Sequence, residues 1–373
     1  MVIFAMAECK CPARNHVINL ILSKDEKYMR RCLELAARGS GLVAPNPMVG
    51  AVLVFEDRII GEGWHAGFGG PHAEVNCIRE AMERGGDEFF NRATLFVSLE
   101  PCSHFGKTPP CTDLIIRHRI PRVVIGIRDP FAEVNGKGIE KLKQAGVEVV
   151  TGILEKECGE QNRRFMLFHT RKRPYVILKW AQTADGFIAA SAGLRKQSRL
   201  HISNEISNRL VHRWRTEEAS ILVGTNTARL DNPELNNRFW PGKSPVRLVI
   251  DKNLSLPHDL RLFDGTLRTI VFNRIRQEEN GLLQYYQIGV SGSWVRPILE
   301  ALYKMDIQSV LVEGGAGLLR SFIEEELWDE ARVITNTGLE TGEGLPAPVL
   351  ERAERQDEQN WQGDRVQYFK PLI

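Results

Sequence analysis

The chain has no apolar run approaching the ~20 residues that a helix needs to cross a bilayer, so no membrane-spanning helix is read in it. It also lacks a charge bias. Its 49 Lys and Arg stand against 47 Asp and Glu, a formal +2, which gives no support for a general binder of nucleic acid or of an anionic membrane surface. Cysteine is sparse and odd in number, seven in all. That count does not make the dense, even framework of a secreted disulfide scaffold, so a reducing cytoplasm is the expected compartment. The N-terminus has no basic cluster ahead of a continuous apolar core, hence no signal peptide is read there. Residues 1–24 read as a disordered tail or an over-extended start, with Cys9 and Cys11 incidental. A complete Gly-x-Gly-x-x-Gly is missing too, and with it the case for an ordinary Rossmann dinucleotide domain.

What remains is a soluble α/β composition, 43% hydrophobic and 26% charged, long enough for two or three domains. Its chemistry concentrates between Pro71 and Cys111. Pro71-His72-Ala73-Glu74 opens that stretch, and Glu100-Pro101-Cys102 with Cys111 closes it. One imidazole and two thiols suit zinc, and three ligands leave a fourth position for water, the mark of a catalytic rather than a closed structural site. Glu74, two residues from His72, is a non-ligand carboxylate able to move a proton. Chance pairs of cysteines are common in such a chain, but four elements in this order with Pro ahead of the first Cys are not. The order resembles the zinc deaminases of nucleobases, although eight residues separate Cys102 from Cys111 where the general signature has two.

Along the first half, apolar spacing predicts a helix from Asp25 to Arg38 capped by Ser23, strands over Ala51–Phe55 and Arg58–Gly63, and a helix over Ala73–Arg84. Strands over 93–99, 122–127 and 147–151 alternate with helices over 112–118 and 137–145. Asn46 lies between Pro45 and Pro47 in a loop, where it is either a turn former or a polar contact. The stretch 155–173 turns polar and then basic and reads as a solvated helix plus connector. The second half reads as α/β, with strands over 175–180, 219–224, 246–251 and 309–312. The last runs into Glu313-Gly314-Gly315-Ala316-Gly317, either a phosphate nest at a helix start or a tight strand–helix turn.

Pro45-Asn-Pro-Met-Val-Gly50, Pro71-His-Ala-Glu74 and the closing stretch to Cys111 resemble the bifunctional deaminase/reductase family of riboflavin biosynthesis, including its eight-residue Cys–Cys gap. Asp185-Gly186, Val223-Gly-Thr-Asn-Thr227, Asp231-Asn-Pro233 and Val312-Glu-Gly-Gly315 follow in that family's order, so the resemblance spans roughly residues 25 to 350. It implies a cytidine-deaminase-like three-layer α/β/α domain over 25–153, a connector over 154–173, and a dihydrofolate-reductase-like α/β domain over 174–373. It further implies zinc on His72, Cys102 and Cys111, with Glu74 catalytic. Asn46 and His65 would hold a pyrimidine, and His104 and Lys107 its ribose phosphate. Reductase substrate would meet Lys179, Arg215, Leu235, Arg238 and Glu313. NADPH would meet Ala181, His201, Thr227, Asp231, Gly315, Ala316 and Gly317. A small-molecule phosphoribosyl pyrimidine is the implied partner, with a homo-oligomer expected and neither nucleic acid nor membrane. Two departures stand out: His201 where the family usually has Trp, and Phe131 where it has Asn. Competing readings are a deaminase whose C-terminal domain only binds, and a nucleic-acid editor anchored by the basic connector.

Overall fold

The computed structural model describes residues 23–105, 109–131, 134–191, 200–289 and 292–372. The terminal segment 1–22 and Lys107 therefore lie outside the described residues. The first half is built on a five-stranded sheet of order β2-β1-β3-β4-β5. Its strands are β1 (Gly50–Phe55), β2 (Arg58–Trp64), β3 (Thr94–Leu99), β4 (Arg122–Ile127) and β5 (Glu148–Thr151). β1 runs antiparallel to β2 and β3, while β3, β4 and β5 are parallel.

Side chains alternate faces along a strand, so each strand feeds two cores. Leu53, Leu95, Val97, Val123 and Ile125 pack under α2 (Ala73–Glu83), α3 (Cys111–Arg117) and α4 (Lys137–Gln144) through Cys77, Ile78, Ile115 and Leu142. Their neighbours Val52, Val54, Phe96 and Val124 face the other way, onto Met29, Cys32 and Leu35 of α1 (Lys24–Ala37) and Cys158 of α5 (Glu155–Gln161). Ser23 caps α1 in a complete capping box with Glu26. This is the expected three-layer α/β/α arrangement. It is closed tightly at Gly50, where an added Cβ would stand 2.0 Å from the Cys32 carbonyl oxygen. Gly50→Ala should cost about 2–3 kcal/mol by overpacking, read as a lower urea midpoint at unchanged slope.

The connector is solvated on one side only. It forms α5 and α6 (Arg163–Arg171), joined at Asn162, and buries Cys158, Phe165 and Phe168. Arg163, Arg164 and Arg173 turn inward to acids while Arg171 and Lys172 stay exposed, so the reading of a solvated helix holds only in part. Arg164 makes a bidentate pair with Glu218, and Arg163 reaches Glu330 at 3.3 Å. Positive charge in a sequence says nothing of the acids waiting 54 and 167 positions away.

The second half carries a ten-stranded sheet of order β11-β12-β10-β9-β8-β13-β6-β14-β17-β16. Seven of its strands are parallel: β12 (Leu283–Gln287), β10 (Thr269–Asn273), β9 (Val246–Ile250), β8 (Ser220–Gly224), β13 (Ser309–Val312), β6 (Tyr175–Thr183) and β14 (Glu330–Asn336). β11 (Glu278–Asn280), β16 (Ala353–Trp361) and β17 (Asp364–Pro371) are antiparallel additions at the edges. One face packs on α9 (Val295–Lys304) and α10 (Ala316–Glu324), the other on α7 (Glu205–Glu217) and on the segment around Ala228 in α8 (Thr225–Asp231). β7 (Phe187–Ala189) and β15 (Leu345–Pro346) form a separate small pair. Sequence patterning found none of the elements after α10. β16 explains why: its residues are polar and mostly exposed on both faces, so no apolar alternation marks it.

Candidate active site

His72 is the N-cap of α2, Cys102 lies three residues past the end of β3, and Cys111 opens α3. The fold thus brings two helix starts and a strand end to one point. The His72 Nδ1 stands 3.3 Å from Cys111 Sγ and 3.6 Å from Cys102 Sγ, and the three ligand atoms all lie within 4.8 Å of one another. Tetrahedral zinc, with bonds of about 2.1 Å to nitrogen and 2.3 Å to sulfur, needs its ligand atoms roughly 3.4–3.8 Å apart. The donor set and spacing fit that ion. Among the described residues the cluster has three members and no fourth side chain closing it.

Of the two thiols, Cys102 is prepared for a cation, while a hydrogen bond to Cys102 and burial push the Cys111 thiol up. Cys102 accepts a hydrogen bond from the Cys111 thiol and another from the Cys111 backbone N–H at 3.4 Å, and these with His72 hold it down to about 4. Cys102 in turn raises His72 to about 9 when no metal is present. Glu74, in the first turn of α2, is 3% exposed, and burial pushes its carboxyl up to about 7.

Asn46 and His65 meet beside this cluster. The His65 Nδ1 lies 3.0 Å from the Pro71 carbonyl, which can only accept, so Nδ1 carries the proton. The Nε2 is then an acceptor for the Asn46 side-chain N–H at 3.1 Å. This fixes the Asn46 amide and leaves its oxygen for another donor. His65 is buried and its ring pKa lowered, burial being the main cause, which keeps the neutral tautomer. The rings of His65 and His72 stand edge-on at 5.7 Å. His104 lies on the same loop as Cys102, with its Nδ1 buried and without a partner among the described residues, 6.4 Å in ring separation from Phe131. Phe131 continues into an aromatic cluster with His169 of α6. Glu100 is a residue whose part was not legible in the sequence. Its buried carboxylate accepts from the backbone N–H groups of Asp129, Gly136, Gly138 and Ile139, pinning that loop to the strand end that delivers Cys102.

The second site is a cleft of about 1430 Å³ at the C-terminal ends of the parallel strands. It gathers Lys179, Arg215 and Glu313 with Ala181, His201, Thr227, Asp231, Gly315, Ala316 and Gly317. Arg215 holds Glu313 through two hydrogen bonds of 2.8 Å, and Lys179 approaches it at 3.7 Å. Burial alone would raise the Glu313 carboxyl, but the charges of Arg215 and Lys179 outweigh it and hold it at about 2. Two cations thus face one buried anion at the floor of the cleft. Gly314, at φ +131°, takes a backbone shape that favours glycine, and Gly315 caps α10 where a Cβ would crowd the Thr227 hydroxyl at 3.1 Å. That is a glycine-lined helix start suited to a phosphate.

The structure does not bring Leu235 and Arg238 into the cleft lining. Leu235 is buried in the apolar cluster of Val223, Val249 and Leu256, and Arg238 pairs with Glu234 at 3.2 Å. Their loop meets the site at the Asn236 carbonyl, which accepts from Arg215 at 2.9 Å. Lys252 and Trp294 line the cleft without having been marked in the sequence, because a single Lys and a single Trp carry no spacing signal.

Residues 22–127 match the cytidine and deoxycytidylate deaminase zinc-binding region, and residues 174–342 match the RibD C-terminal domain. The riboflavin biosynthesis protein RibD of Aquifex aeolicus is 40% identical over 331 residues, covering 87% of this chain and 90% of that one. The Escherichia coli protein of the same name is 32% identical, with 82% and 86% covered. A diaminohydroxyphosphoribosylaminopyrimidine deaminase/5-amino-6-(5-phosphoribosylamino)uracil reductase from Thermotoga maritima superposes with a TM-score of 0.84 at 38% identity, covering 93% of this chain and 98% of that one. Zinc-region and reductase-type segments in one chain, each folded around a site of matching chemistry, leave a single assignment: the chain belongs to the RibD family of riboflavin biosynthesis proteins.

Proposed function

We propose that this bifunctional deaminase and reductase acts on 2,5-diamino-6-(5-phosphoribosylamino)pyrimidin-4-one, first replacing a ring amine by oxygen and then reducing the ribosyl group to ribityl with NADPH. The observation that carries the first step is the three-member His72, Cys102 and Cys111 cluster with buried Glu74 beside it. A zinc ion held there would lower the pKa of water on its open position toward ~7. Glu74 takes the proton from the attacking water and returns it to the departing amine, so water adds and ammonia leaves. Asn46, oriented by His65, offers its amide to the pyrimidine edge. His104 and Lys107 are assigned to the ribose phosphate.

In the cleft, the helix start at Gly315, Ala316 and Gly317, with Thr227, Asp231, Ala181 and His201, is assigned to NADPH, which supplies a hydride to the sugar carbon. Lys179, Arg215 and Glu313 are assigned to the phosphorylated sugar, with Leu235 and Arg238 on the flanking loop. The domain division proposed is 25–153, 154–173 and 174–373, supported by the end of one sheet at Thr151 and the start of the other at Tyr175. A cytoplasmic homo-oligomer is part of the same proposal. No described helix is long and apolar enough to cross a membrane.

Stripping zinc with a chelator should abolish ammonia release while leaving NADPH oxidation on separately supplied deaminated substrate intact, and added zinc should restore the first activity. Metal-independent deamination would overturn the assignment.

A further inference from the structure

The loop that presents Asn46 is held from outside the deaminase segment. Asn162, at the junction of α5 and α6, grips Met48 by both backbone groups: the Met48 N–H donates to its Oδ1 at 2.8 Å and its Nδ2 donates to the Met48 carbonyl at 2.9 Å. Gln308, just ahead of β13, donates from Nε2 to the Pro45 carbonyl at 2.6 Å. These contacts bridge 114 and 263 positions of sequence, and both side chains are buried, 3% and 6% exposed. Each holder is itself fixed. The Asn162 N–H bonds the Cys158 carbonyl in α5, and the Gln308 carbonyl accepts from Tyr175 at the start of β6. Within the loop, the Asn46 N–H bonds the Val43 carbonyl, and His65 N–H bonds that of Val49. Asn46 is therefore flanked on both sides by backbone groups tied to the connector and to the reductase sheet.

We infer that Asn162 and Gln308 are positioning residues for deamination, setting the Asn46 loop for the pyrimidine, so that the reductase half completes the deaminase site. The inference rests on the assignment of Asn46 to substrate. Burial of both amides excludes a casual surface contact, because a buried amide that loses its partners is costly. Side chains that bond only backbone act on where Asn46 sits, not on the reacting atoms. Their loss should therefore appear in substrate binding.

The test uses the full chain, measuring ammonia release, zinc content and NADPH oxidation on deaminated substrate for Asn162→Ala, Gln308→Met and Asn46→Ala. Gln308→Met keeps the volume while removing the donor, so it reports even where Asn162→Ala folds poorly. The expected result is a five- to tenfold rise in deaminase KM (about one hydrogen bond's worth) with kcat within about twofold, full zinc, and unchanged reductase KM. Unchanged deaminase KM in both clamp variants while Asn46→Ala raises it would overturn the clamp alone. Loss of kcat together with zinc or with reductase activity would reduce both residues to ordinary structural supports and overturn it as well. Unchanged KM in Asn46→Ala would instead remove the substrate assignment of Asn46, and the clamp's role with it.

Discussion

Glu74→Gln is expected to retain zinc at the wild-type stoichiometry and to lower the deaminase kcat by about 10²–10⁴-fold, the usual worth of a positioned general acid–base group. The ligand atoms belong to His72, Cys102 and Cys111, so nothing that holds the ion changes. The amide has nearly the carboxyl's shape, so packing at this 3% exposed position is kept as well. What goes is the proton. Burial holds the Glu74 carboxyl near 7, so at neutral pH both its forms are populated, as a group must be that takes a proton from water and delivers it to an amine. An amide does neither. The loss should fall on kcat with little change in KM, because the step removed is chemical. Metal analysis alongside steady-state ammonia release checks this, and a variant of full activity would take Glu74 out of the mechanism.

Glu313→Ala is expected to cost the second half about 3–5 kcal/mol, since it takes from buried Arg215 the carboxylate that it binds through two hydrogen bonds. Arg215 and Lys179 expose only 12% and 13% of their side chains, and Arg215 spends both its Glu313 bonds at 2.8 Å. Reductase activity should fall with it, while zinc content stays, because Glu313 is not one of the zinc ligands. The pH dependence has a definite sign. In the folded protein Glu313 sits at about 2, below the ~4.3 of an unfolded glutamate. Its contribution is therefore fully present above pH ~4.3 and is lost as pH falls toward 2. The gap in urea midpoint between wild type and variant should be constant from neutral pH down to about 5 and then narrow. A gap that widens on acidification would contradict the charge assignment.

Much of the zinc site was legible because ligation restricts residue type as well as order. His, Glu, Pro-Cys and Cys can be recognised one by one, and the fold only has to close 30 and 39 positions of chain between them. The first half's layers were legible for a related reason: strands such as β1 and β3 send alternate residues to two apolar faces and leave a continuous hydrophobic run. The connector was partly misread because basic residues look solvated until their acids are seen, and Glu218 and Glu330 come from another part of the chain. Asn162 and Gln308 were invisible for the same cause. An amide that binds backbone across a domain boundary leaves no periodicity and asks for no particular neighbour. Leu235 shows the reverse case, in which resemblance places a residue at the substrate while its side chain is committed to a core.

One chain is expected to carry out an ordered pair of reactions at two separate centres. Purified protein of known zinc content, incubated with the phosphoribosylated diaminopyrimidine and read by mass spectrometry, tests it most directly. Without NADPH the product should carry oxygen in place of the NH of one exocyclic amino group and nothing more. With NADPH it should gain in addition one hydride and one proton. An unchanged pyrimidine in the zinc-loaded protein, or hydride uptake that precedes loss of the amine, would contradict the account.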